Sequence, residues 1–203
     1  LQINDSSSVE DYMEVYKKLV FWELQISESA ADMDEILLMQ KEEANSAFVK
    51  YIKKNYESWF KEGADRPMMS QDVFKTKVLP LLDNGEKVFF VVLDNFRFDQ
   101  WRIIRELLST DFVVETEDLY CSMLPTSTQY SRNAIFSGLL PLQIKEMYPQ
   151  YWVDEDDEDS KNKFEEELIG TFFQRYRRKF TYSYAKIVDS AFASKYVSEI
   201  KKL

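Results

Sequence analysis

The chain has 203 residues, 45% of them hydrophobic and 15% aromatic, which is enough for one or two folded domains with a sizeable core and excludes a disordered tail. Its 26 Lys and Arg against 36 Asp and Glu leave a net charge of -10, which excludes a protein that grips nucleic acid mainly by neutralising phosphates, though not one that uses nucleic acid as a substrate. There is no histidine, so Ser-His-Asp triads, His bases and His-containing metal sites are excluded from these residues; any chemistry falls to carboxylates, hydroxyls and oxygen-held metals, or is completed by residues outside the 203.

The lone Cys121 cannot form an internal disulfide and predicts a reducing, cytoplasmic setting. The longest apolar run, Val88 to Leu93, is far short of the roughly 18 residues a membrane span needs, so no membrane partner is expected. The chain opens at Leu1 without an initiator Met, and the expectation is a piece of a longer protein.

Taken in order, Ser6, Ser7 and Ser8 form a capping region, and Val9, Tyr12, Met13, Tyr16, Leu19 and Val20 repeat at helical spacing, predicting a helix to about Leu24. A longer helix is predicted from about Ser29 to Phe60, with Met33, Ile36, Leu37, Ala44, Phe48, Tyr51, Ile52 and Trp59 on its apolar face. Gly63 and Pro67 end it, and a third amphipathic stretch runs from about Ser70 to Leu82. Residues 1–65 therefore read as a helical bundle or connector, and 66–203 as a second domain.

After the turn pair Asn84-Gly85 the pattern changes. Lys87 to Leu93 reads as a strand buried on both faces of a parallel sheet, a helix follows from Phe98 to Leu108, and Phe112-Val113-Val114 begins a second strand. Ser131 to Phe136 predicts a short helix, the acidic run 154–159 a solvated loop rather than a calcium site, and Phe164 to Tyr176 a helix closed by Arg175, Arg177, Arg178 and Lys179. Phe180 to Val188 predicts a further strand. The fold class expected is α/β, a mostly parallel sheet flanked by helices, incomplete here and preceded by the helical bundle.

Two segments carry candidate chemistry. Asp94 ends the buried run in Asp94-Asn-Phe-Arg97-Phe-Asp99, where an open α/β sheet places its ligands; Asp94 is either a ligand for a divalent cation or a cap for the next helix. In Leu124-Pro125-Thr126-Ser127-Thr128-Gln129-Tyr130-Ser131-Arg132, three hydroxyls open a helix and Arg132 lies one turn on. A hydroxyl there is either an N-cap or a metal-activated nucleophile, with Arg132 as a surface residue or a phosphate clamp. Asp189 follows the last strand, with no motif around it to mark it as a ligand.

Together these segments resemble the PglZ domain, a branch of the alkaline phosphatase superfamily: an apolar strand ending in Asp94-x-x-Arg97-x-Asp99, then Leu124-Pro-Thr-x-Thr-x-x-x-Arg132-x-Ala-x-Phe-Ser-Gly138-x-x-Pro141. The segment in front, with Phe21-Trp22-Glu23, resembles the helical middle domain of response regulators linked to type IX secretion. The resemblance implies two zinc ions, with Asp94 and Thr128 as metal ligands and Thr128 as the nucleophile; Thr126 is the fallback, and Arg132 and Arg97 are supporting residues. It implies a phosphodiesterase acting on oligonucleotides or other phosphodiesters, a partner sensor histidine kinase and other secretion-regulating components, and a homodimer formed on phosphorylation. The Asp and His ligands that the superfamily carries on later strands are not in these residues, so the expectation is that this stretch alone turns over little. The alternative is a non-catalytic dimerisation module that relays phosphorylation to protein partners.

Overall fold

The computed structural model describes residues 3–4, 7–26, 31–154 and 160–200. These divide into two compact units. The first comprises residues up to Asp72 together with Phe89–Leu124, and the second comprises Val73–Val88 with the residues from Pro125 onward.

The first unit is built on a helical hairpin. Helix α1 (Val9–Ile26) starts where the serines require it: Ser8 Oγ accepts the Asp11 amide at 3.2 Å, and Asp11 Oδ2 accepts the Ser8 amide at 2.8 Å. This reciprocal cap satisfies two of the amides that a helix start leaves unpaired. Ser8→Ala is expected to lower stability by about 1 kcal/mol in urea unfolding, and an unchanged midpoint would refute the cap's role. Helix α2 (Ala31–Asn55) packs on α1 through Tyr12, whose ring lies 5.3 Å from Phe48 and 5.0 Å from Tyr51. A 3₁₀ turn, Tyr56–Phe60, continues it and buries Trp59 against Tyr51. The expected start of α2 near Ser29 lies outside the described residues. Its apolar face is only partly a core face, since Ala44 and Trp59 are buried while Met33 and Ile36 are 47% and 61% exposed.

The second unit forms the tighter core. A 3₁₀ turn (Ser70–Asp72) in the first unit, a π turn (Phe74–Val78) and the short helix α3 (Leu79–Asp83) stand where one continuous amphipathic helix was expected. Pro80 follows the π turn and has no amide to contribute to a regular helix. The other elements are α4 (Phe98–Leu108) in the first unit, and α5 (Thr128–Ser137), α6 (Pro141–Met147), α7 (Glu165–Arg175) and α8 (Ser190–Ile200) in the second. Phe172 is fully buried at the centre of an aromatic cluster, 5.0 Å from Phe74, 5.9 Å from Phe173 and 4.5 Å from Tyr176 between ring centroids.

The parallel sheet is not formed among the described residues. The runs expected as strands, 87–93, 112–114 and 180–188, form no ladder, and among the described residues the β pairing consists of one parallel bridge between Met69 and Cys121. Around 87–93 the alternation of a strand survives: Phe90 and Val92 are half-buried, while Phe89, Val91 and Leu93 are 74%, 73% and 60% exposed. Parallel pairing stabilises a strand only when several lie side by side with both faces covered, and these segments have no such neighbours among the described residues.

Cys121 is half-buried at that bridge, and burial, with a smaller contribution from Glu10, raises its thiol to a pKa of about 11. At pH 8 only about one molecule in a thousand then carries the thiolate. Alkylation by iodoacetamide is expected to be about 100-fold slower than for a small free thiol and to climb as pH approaches 11; a free-thiol rate at pH 8 would contradict the burial.

Candidate active site

Helix α5 carries the hydroxyl motif, and its boundaries follow from the motif itself. Ser127 holds the extended N-cap position, and its carbonyl accepts the Tyr130 and Ser131 amides at 3.0 Å. Thr128, the first residue of the helix, is half-buried, whereas Thr126 and Ser127 are exposed. Ser131 Oγ turns back to the Ser127 carbonyl at 3.1 Å and so serves the helix start. At the far end Gly138 takes φ of 66°, a left-handed conformation that a side chain disfavours, and donates its amide to the Ala134 carbonyl at 2.8 Å. Arg175 donates to the Ser137 carbonyl and to Thr171 Oγ1, covering the carbonyl end of α5. Pro141 then opens α6, and the Leu140 amide is held by Gln143 Oε1 at 2.9 Å. Much of the long motif is therefore helix punctuation, with Thr128 and Arg132 left to carry chemistry.

The second unit fixes both of those residues from one segment. Asn162, 7% exposed, donates from Nδ2 to the Thr128 carbonyl at 3.1 Å and to Asn133 Oδ1 at 3.0 Å, while Asn133 Nδ2 donates to the Lys161 carbonyl at 3.1 Å. Gln129 donates to the Val153 carbonyl at 2.8 Å. Three residues beyond Asn162 stands Glu165, fully buried, with Arg132 Nη2 2.7 Å from both its carboxylate oxygens. Tyr184 also donates its hydroxyl to Glu165 Oε2, and Lys186 Nζ lies 3.9 Å from that oxygen. Burial and the Glu165 carboxylate hold the Tyr184 hydroxyl protonated well above the usual phenol range. Arg132 is thus not a surface residue; its side chain is 16% exposed.

Asp94 lies in the first unit, exposed, in a tight turn whose next residue, Asn95, has φ of 54°. Non-glycine residues in this conformation carry strain and concentrate at functional turns. The N-cap position of α4 is taken by Arg97, whose amide donates to Gln100 Oε1 at 2.9 Å. The Arg97 guanidinium chelates Asp99 at 2.9 and 2.7 Å, which holds the Asp99 carboxyl below the usual carboxylate range. Arg97 is thus engaged locally. Asp189 caps α8, its Oδ1 accepting the Phe192 amide at 2.7 Å. The acidic run, from residue 155 to 159, lies outside the described residues.

Asp94 and Thr128 offer hard oxygen donors of the type a divalent cation accepts, but they fall short in number of the four a zinc ion takes. Among the described residues no three Asp, Glu or Cys side chains gather as a cation site. Glu165, Asn162 and Tyr184 were not singled out in the sequence: Glu165 and Asn162 meet α5 across 33 and 34 residues, Tyr184 meets Glu165 across 19, and no local pattern marks them.

Residues 73–199 match the family described as the BREX system PglZ alkaline phosphatase-like domain, and residues 1–60 match the PorX response regulator linker domain. The chain belongs to the PglZ family. No curated protein matches it. Among the described residues no helix is long and apolar enough to cross a membrane.

Proposed function

We propose that this chain is the effector region of a PorX-like response regulator whose PglZ domain hydrolyses phosphodiesters with Thr128 as nucleophile. The observation that carries the reading is the half-buried Thr128 at the first turn of α5, one helical turn from a guanidinium that a buried carboxylate holds in place. Thr128 Oγ attacks phosphorus, its O–P bond forms as the bond to the leaving alcohol breaks, and its proton passes to solvent. Water then cleaves the Thr–O–P bond, releasing the phosphomonoester and restoring the hydroxyl. A divalent cation, proposed as zinc with Asp94 and Thr128 among its ligands, supplies a lowered hydroxyl pKa and neutralises phosphoryl charge when bound. Arg132 engages the non-bridging oxygens.

In this reading the extended runs at 87–93, 112–114 and 180–188 are strands of the complete domain's parallel sheet. The protein works in the cytoplasm downstream of a sensor histidine kinase in type IX secretion signalling, and its substrate is an oligonucleotide or a related phosphodiester. The linker match and the lone free cysteine support this setting. The test is hydrolysis of a nitrophenyl phosphodiester by the full-length protein. Activity that is lost on chelation and restored by zinc is expected; activity insensitive to chelator would overturn the metal assignment.

A second reading, a dimerisation module relaying phosphorylation, is favoured by the apolar groove between α1 and α2, where Trp22, Met33 and Ile36 are half or more exposed or nearly so. Sedimentation of the full-length protein with and without an acyl-phosphate donor should show a doubled mass, and an unchanged mass counts against it.

A further inference from the structure

The strongest unassigned feature is the charged cluster beneath α5. Glu165 is fully buried, and a buried ion pair is weak support for stability, because desolvating both charges offsets much of their attraction. Such a pair is better understood as a device that fixes one partner's position. Within the cluster, Arg132 and Lys186 face the carboxylate of Glu165, and Tyr184 donates its hydroxyl to it. Lys186 also donates to the Asn162 carbonyl at 3.1 Å, and Asn162 holds the Thr128 carbonyl, so one connected network reaches both Arg132 and Thr128. A guanidinium one turn from a hydroxyl suits a phosphoryl anion bound beside that hydroxyl.

We propose that Glu165 is the positioning residue that aims the Arg132 guanidinium at a phosphoryl group beside Thr128, with Tyr184 holding the carboxylate in register; the proposal rests on the phosphoesterase reading for its substrate class. Glu165 does not touch the phosphate. Its carboxylate holds the guanidinium through Nη2.

The experiment uses the full-length protein and two probes, a nitrophenyl phosphodiester and inorganic phosphate. Arg132→Ala should lower kcat/KM by roughly 10²-fold, and millimolar guanidinium should restore about tenfold of that loss, because Glu165 still offers a seat for it. In Arg132→Ala/Glu165→Gln the restoration should vanish, an outcome a merely structural carboxylate would not produce. In calorimetry, Glu165→Gln and Arg132→Ala should each weaken phosphate binding about tenfold, and the double variant no further. Tyr184→Phe, which keeps both charges, should shift phosphate affinity in the same direction by a smaller factor and serves if Glu165→Gln does not fold. Guanidinium rescue that is indifferent to Glu165, or wild-type phosphate affinity in Glu165→Gln and Tyr184→Phe, overturns the proposal. If the wild-type protein binds phosphate with this dependence but hydrolyses no diester, the positioning role stands and the phosphoesterase reading falls.

Discussion

Replacing Thr128 by valine is expected to cut hydrolysis of a nitrophenyl phosphodiester by on the order of 10³-fold or more, because the substitution removes the oxygen proposed to attack and leaves no other hydroxyl of α5 in its place. Valine keeps the β-branch and the volume of threonine, and the contacts that hold this position are made by the backbone: Asn162 binds the Thr128 carbonyl, whatever side chain stands there. The variant should therefore melt close to the wild-type temperature. Two neighbours serve as internal controls. Thr126 is exposed and precedes the helix, so Thr126→Val should change the rate by no more than about twofold. Ser131 bonds back to the Ser127 carbonyl, so Ser131→Ala should cost some helix stability and little rate. A Thr128→Val enzyme with the wild-type rate would remove Thr128 as the nucleophile, and a dead Thr126→Val would move the role to Thr126. Retention of the rate by both would leave the hydroxyl motif as helix capping alone.

The largest stability effect should come from Phe172→Ala, with a loss of about 3–5 kcal/mol. Phe172 is fully buried and its ring meets Phe74 of the π turn and Phe173 and Tyr176 of α7 and its C-cap, so truncation leaves a cavity walled by aromatic rings. Rigid rings close on such a space poorly, which places the cost toward the upper part of the range for core truncations. Leu142, in the same unit but 66% exposed, is the matched control, and Leu142→Ala should fall within about 0.5 kcal/mol of wild type. Urea unfolding of the two variants would separate them; equal midpoints would mean that the second unit is not organised around Phe172.

The helical part of the fold was legible because helices are written locally. The serines before Val9 mark the start of α1, and Phe98 to Leu108 was read at its observed bounds, whereas the helix read over Ser131 to Phe136 opens three residues earlier, at Thr128. The sheet was legible only as a tendency. A run such as 87–93 has the composition and the alternation of a strand, but a ladder needs a neighbour, and pairing is a property of two segments at once. The continuous helix expected over 70–82 failed for a local reason, with Pro80 and the π turn dividing it.

The candidate site divides in the same manner. Asp94, Thr128 and Arg132 could be picked out because a motif places residue types in order, and the membership of the PglZ family follows from that order. What the order leaves open is what each side chain is engaged with. Arg97, close to Asp94 in sequence, is taken by Asp99, and Asp189 is spent on capping α8. The sequence by itself determined α1, α4 and α7 to within a residue or two, and the family, since these rest on residues close together in the chain; it left α6 and α8 unread and started α5 three residues late. Only the tertiary structure decided that Arg132 pairs with the buried Glu165 and that Asn162 and Glu165, three residues apart, hold Thr128 and Arg132. Those contacts bridge more than thirty residues, and nothing short of packing α7 against α5 brings them together.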